Sequence, residues 1–108
     1  MSFATSSSLL LSLVARNYDL EAEDMRLKYE KMSLMADAGA LEAQMHGNPH
    51  AAMAQALQAQ LSALKTTEKM IDMRITHIEH ESEANKAYME KVEKRCQEGA
   101  KTFGKGVG

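Results

Sequence analysis

His77 and His80 lie one helical turn apart, with Glu79, Glu81 and Glu83 around them, and form the densest group of metal-ligating residue types in the chain. Imidazoles at i and i+3 can reach one ion from one helix face, but a zinc site needs three or four ligands. No cysteine lies in this stretch, and no HExxH pattern is present. Surface or interface histidines are therefore expected, with no metal and no other cofactor. Protonating His77 and His80 between about pH 5 and 7 would place charge on the face they share and make an interface there pH-sensitive. His46 and His50 flank a Gly-Asn-Pro stretch. Cys96 is the single thiol, so it cannot form an intramolecular disulfide. A catalytic thiolate needs a neighbouring base and a group to orient that base, and the sequence supplies neither. Cys96 is expected as a small residue on a helix face, with pairing between chains as the alternative. The terminal glycines, Gly99, Gly104, Gly106 and Gly108, follow a helical pattern and do not join a strand to a helix, so they are no phosphate loop. No catalytic residue is assigned, and an enzyme is not expected.

The totals narrow the class further. With 44% hydrophobic and 26% charged residues among 108, the chain has the composition of one ordinary domain, residues 1–108. Nine Met, no Trp and a single Pro leave few rigid bulky groups and almost nothing that breaks a helix. Thirteen basic residues stand against fifteen acidic ones and alternate with them, so no basic field exists to attract nucleic acid.

The elements that must position these residues are helices. Leu11, Ala15, Tyr18, Ala22, Met25, Tyr29, Met32, Ala36, Gly39 and Ala43 recur at alternating spacings of four and three. That period keeps one stripe of a helix against a partner helix. Leu13, Leu20, Leu27, Leu34 and Leu41 form a second seam at strict seven-residue spacing. The second half repeats the arrangement with His50, Ala54, Leu57, Leu61, Leu64, Glu68, Ile71, Ile75, Ile78, Ser82, Asn85, Met89, Val92 and Cys96, beside a stripe that includes Met70, Met73, His77 and His80. Apolar alternation at period two is absent, which argues against strands.

Ser6, Ser7 and Ser8 offer N-cap oxygens, so residues 1–8 read as an N-terminal segment and residues 9–46 as the first helix. Gly47 suits a left-handed helix end, Asn48 an N-cap and Pro49 a first helical residue. This places a tight turn at Gly47, Asn48 and Pro49, a second helix over residues 50–98, and a Gly- and Lys-rich tail over residues 99–108. The expected fold is all-α: a long antiparallel helical hairpin. Leu9, Leu10, Leu11, Leu13 and Val14 make an apolar run too short to span a bilayer, which takes roughly 20 residues. With no basic residue before it, the run reads as part of the mature chain, able to be buried or to anchor at a membrane surface.

Volume complementarity assigns the contacts. The small and aromatic seam, with Ala22, Met25 and Tyr29, is expected to pack inside the chain against Leu57, Leu61, Leu64, Ile71, Ile75 and Ile78. This leaves Leu13, Leu20, Leu27, Leu34, Leu41, Met70, Met73, His77 and His80 for contacts between chains. Copies of the same chain are the expected partners, as a closed bundle or as an open polymer. Asn85 in the apolar seam is a candidate for fixing register, unless the seam surfaces beyond Ile78.

Asn48-Pro49 followed by Leu57-Gln58, Leu61-Ser62 and Leu64 resembles the centre of the needle subunits of bacterial type III secretion systems, over about residues 47–80. The resemblance implies a hairpin that polymerises into a filament or tube, contacts other secretion-apparatus proteins and reaches the cell exterior without a cleaved signal peptide. The expectation from contacts and resemblance together is a structural self-assembling subunit. The alternative is a soluble helical adaptor or export chaperone that binds an amphipathic helix of a partner protein.

Overall fold

The computed structural model describes residues 2–47 and 50–107, with side chains through Lys101. It is an all-α helical hairpin of two helices, α1 (Phe3–Gly47) and α2 (Ala51–Val107). Helix α1 begins six residues before the expected Leu9, because the cap is Ser2 and not one of the serines at 6–8. The Ser2 Oγ accepts from the Thr5 N–H at 3.1 Å, and the Ser6 N–H donates to the Ser2 carbonyl at 2.9 Å. A hydroxyl serving the third helical residue satisfies one of the amides a helix start leaves without a partner.

The turn differs from expectation at Gly47, which is the last residue of α1 and has no positive φ. Asn48 and Pro49 lie outside the described residues. At the start of α2 the His50 carbonyl accepts from the Ala54 N–H at 2.9 Å, so His50 holds the N-cap position. Helix α2 also runs through Gly99, the expected end, to Val107. A Cβ at Gly99 would lie 3.2 Å from the Cβ of Phe3. Gly99 thus continues the 4-3 seam three residues after Cys96, where a missing side chain lets the first turn of α1 approach the backbone of α2.

The hairpin comprises two compact units, Asp24–His77 and Met1–Glu23 with Ile78–Gly108. In the unit Asp24–His77, Leu27, Ala38, Leu57, Leu61 and Ile71 are buried, with Leu34, Leu41, Leu64 and Ile75 half-buried among them. The two helices are tied there by Lys31 Nζ to Asp72 Oδ1 at 2.7 Å and by Lys65 to Glu42 at 3.9 Å. In the other unit Leu20, Val92, Ser6 and Asn85 are buried. Phe3 meets Gly99, Leu13 meets Asn85 and Arg16 meets Glu81, so the helices run antiparallel.

Candidate functional surface

The seam that α1 turns toward α2 is the leucine heptad. Leu27 has no exposed surface and Leu20 only 5%, whereas Met25 and Tyr29 are 61% and 70% exposed. The expected assignment on α1 is therefore reversed: Ala22, Met25 and Tyr29 face outward, and Leu13, Leu20, Leu27, Leu34 and Leu41 are used within the chain. The physical reason lies in the residues that interleave with the leucines. Leu10, Asn17, Asp24, Lys31, Ala38 and Met45 complete a 4-3 seam with Ser6 and the five leucines, and every one of them is buried or half-buried. Three are polar, which hid this stripe from a search for apolar periodicity.

These polar seam residues reach the edge of the contact. The Asn17 amide donates to Glu21 Oε1 at 3.2 Å, and Lys28 pairs with Asp24 at 2.7 Å. Among the described residues Asn17 Oδ1, Asp24 Oδ1 and Ser6 Oγ are buried without a hydrogen-bond partner. A buried polar atom left so costs about 1–3 kcal/mol. Asp72 beside Lys31 raises the ammonium pKa above its ordinary 10.5, by accepting its hydrogen bond and by its negative charge.

On α2 the buried and half-buried apolar positions form one seam. Leu57, Leu61 and Ile71 are buried, Leu64, Ile75 and Ile78 half-buried, and the seam continues past Ile78 through Asn85 to a fully buried Val92. Asn85 donates from Nδ2 to the Leu13 carbonyl at 2.9 Å and stands 3.5 Å from Met89 Sδ. This cross-helix bond needs Asn85 at one height along α1, so it ties the register of the unit that contains it. Cys96 is half-buried on the same seam, its Sγ 4.0 Å from Ser7 Oγ.

The outward residues form the exposed apolar surface of the two helices. On α1 these are Leu11, Tyr18, Met25, Tyr29 and Met32, each between 61% and 72% exposed, with Ala15 and Ala22 among them and Ala36, Gly39 and Ala43 continuing the row beyond Met32. On α2, Met70, Met73, His77 and His80 are all exposed. Among the described residues no group of three or more His, Cys, Asp or Glu is placed to hold a metal ion. An open depression of about 560 Å³ is lined by Ala4, Thr5, Ser8, Leu9 and Ser12, which offer hydroxyls but no acid, base or cation. Among the described residues no helix is long and apolar enough to cross a membrane.

The fold and its surface define a class: an all-α helical hairpin whose helices pack through one heptad seam and carry further apolar stripes outward. Compared with known protein families, curated proteins and solved structures, the chain has no match.

Proposed function

We propose that this chain is a structural subunit that associates with copies of itself and builds a filament or tube through its outward stripes. The observation that carries the reading is the exposure of Leu11, Tyr18, Met25, Tyr29 and Met32 along α1. They repeat at the 4-3 spacing that helix partners use, on a face the hairpin leaves uncovered. Contiguous apolar surface of this kind on a soluble protein marks an interaction site. Gly39 strengthens the reading, since a Cβ there would meet nothing within 4 Å and the position is open to close approach by another helix. The resemblance of the segment around Asn48-Pro49 and Leu57-Gln58 to needle subunits extends the proposal to a protein-secretion apparatus, with an exported filament as the product. Sedimentation and electron microscopy of the purified chain test it: concentration-dependent growth into elongated particles is expected, and a monomer at every concentration overturns it.

One observation favours a second reading. Met53, Met70 and Met73 are exposed on α2, and methionine faces repack around different partner helices. An adaptor or export chaperone built this way would form a discrete dimer or hetero-complex and no polymer, which the same micrographs distinguish.

A further inference from the structure

The exposed stripe on α1 specifies the direction in which a second copy binds. We infer that two copies pair through this stripe antiparallel, about a two-fold axis that passes between Glu23 and Asp24. The inference rests on the self-association proposed above and adds its geometry.

The argument begins with volume. Helix α1 is unbroken from Phe3 to Gly47, so its outward 4-3 positions form one row. Reversed upon itself about that axis, the row sets Ala22 against Met25 of the second copy and Ala15 against Met32 of the second copy. Small meets large at each of these levels, the arrangement that packs without voids. Tyr18 meets Tyr29 of the second copy, two rings that are 68% and 70% exposed in the single chain and can stack at an offset or edge to face. A parallel, in-register pair would set Ala22 on Ala22 and Tyr29 on Tyr29, leaving a gap at one level and crowding at the other.

Charge gives the same answer independently. Asp19 and Arg26 are seven residues apart and therefore share one flank of the stripe, while Glu21 and Lys28, also seven apart, share the other. In an antiparallel pair each flank meets its own copy. Asp19 then faces Arg26 of the second copy, Glu21 faces Lys28 of the second copy, and the two-fold repeats both attractions. The midpoints of these two pairs fall one residue either side of the axis set by the apolar row, an offset of about 1.5 Å that long side chains absorb. A parallel pair retains only the attraction between Glu21 and Arg26. Within the single chain Arg26 pairs with Glu30 at 3.2 Å, both side chains about half exposed, and Lys28, also about half exposed, reaches the half-buried Asp24 at 2.7 Å. An exposed pair such as Arg26 with Glu30 holds its charges weakly enough to be shared with a neighbour. A two-fold pair is closed, so a longer assembly needs a second contact, for which the exposed Met70 and Met73 of α2 remain.

Directed cross-linking tests the geometry. In a Cys96→Ser background, A15C and M32C are prepared separately, mixed in equal amounts and oxidised, and the disulfides are assigned by mass spectrometry. Both sites are on the exposed row, so the hairpin core is untouched. In the antiparallel pair the two copies of residue 15 stand about 25 Å apart along the axis, far beyond the roughly 7 Å that a disulfide tolerates. The expected result is a 15–32 link at least tenfold in excess of either self-link. Self-links in excess, or all three species in statistical proportion, overturn the antiparallel pairing. Sedimentation of the Cys96→Ser parent separates the two levels of the proposal. A parent that associates while no 15–32 link forms overturns the geometry and leaves self-association standing; a parent that stays monomeric overturns both.

Discussion

Replacing Leu27 by Ala and Tyr29 by Ser should produce opposite phenotypes, although the positions are two residues apart on one helix. Leu27 has no exposed surface, so truncation to Ala removes about three buried carbons at roughly 0.8 kcal/mol each. The unfilled space adds to that transfer cost, and buried Leu→Ala changes fall at about 2–5 kcal/mol. A middle value of about 3 kcal/mol corresponds to a fall in melting temperature of roughly 10–20 °C for a domain of this size. Tyr29 is 70% exposed in the single chain, and a surface change there should move stability by no more than about 0.5 kcal/mol. Circular dichroism melts at one fixed protein concentration, with sedimentation of the same samples, measure both quantities; concentration must be held constant because association itself raises the melting temperature. Tyr29→Ser should keep the parent melt of the unassociated chain and lose self-association. If instead Leu27→Ala melts like the parent and only fails to associate, the leucine heptad is the assembly seam and the packing described here is wrong.

Three further substitutions probe individual features. Ser6→Ala should stabilise the hairpin by about 1–2 kcal/mol in chemical denaturation, because it removes a buried hydroxyl without a partner among the described residues and introduces a better helix former; a loss of stability would show that the hydroxyl is satisfied. Gly39→Ala should stabilise the unassociated chain by about 0.5–1 kcal/mol, since a Cβ meets nothing within 4 Å, and an equal loss with no change in association would refute the open position assigned to it. Lys31→Met should remove a contribution that depends on pH in a defined direction. The folded-state pKa of Lys31 is raised, so its ion pair with Asp72 stabilises below the unfolded value of 10.5 and is lost as pH rises through the folded value. The stability gap between parent and variant should be constant between pH 7 and 10 and shrink only above 10.5; a gap that already shrinks on raising the pH from 7 to 10 would contradict that sign.

Both helices were legible from their residues, but the inward face was legible only on the second, and the difference is physical. On α2 the apolar 4-3 row is nearly continuous from Leu57 to Ile78, so its period and its inward face coincide. On α1 two rows compete. The outward row has the unbroken apolar and small character that resembles a core, while the inward row alternates leucine with Asn17, Asp24 and Lys31. Periodicity ranks rows by apolar content and therefore chose the wrong one. Two signals favour the inward row in retrospect. Leucine at strict heptad spacing buries more per residue than alanine, and Lys31 can reach Asp72 across the seam, so its charge is paired without full desolvation. The helix limits were missed for related reasons: Ser6 looked like a cap because serine seldom serves as a core residue, and Gly99 looked like a stop because its packing against Phe3 is a contact between distant parts of the chain.

That reversal changes what the polar seam residues imply. Had the leucine row faced outward, Asn17, Asp24 and Lys31 would be ordinary surface groups, and the chain would conceal no unpaired polar atoms beside them. Facing inward, they leave Asn17 Oδ1 and Asp24 Oδ1 buried without partners among the described residues, each a cost on the folded hairpin. An apolar residue at either position would bury more surface and remove that cost, but it would also give α1 two apolar rows of similar strength. The helix could then turn either row toward α2. Polar groups at alternate inward positions weaken that row as a general sticky surface, while the leucines between them stay buried or half-buried, and the bond from Asn85 to Leu13 fixes one register in the unit that contains it. The outward row, with no polar interruption from Leu11 to Met32, is left as the stronger surface for a second chain. Substituting Asn17→Leu with Asp24→Leu should therefore raise stability while broadening the hydrogen-exchange and cross-linking patterns into more than one packing of α1. A variant that is both more stable and equally uniform would show that these polar groups carry no part of the specificity.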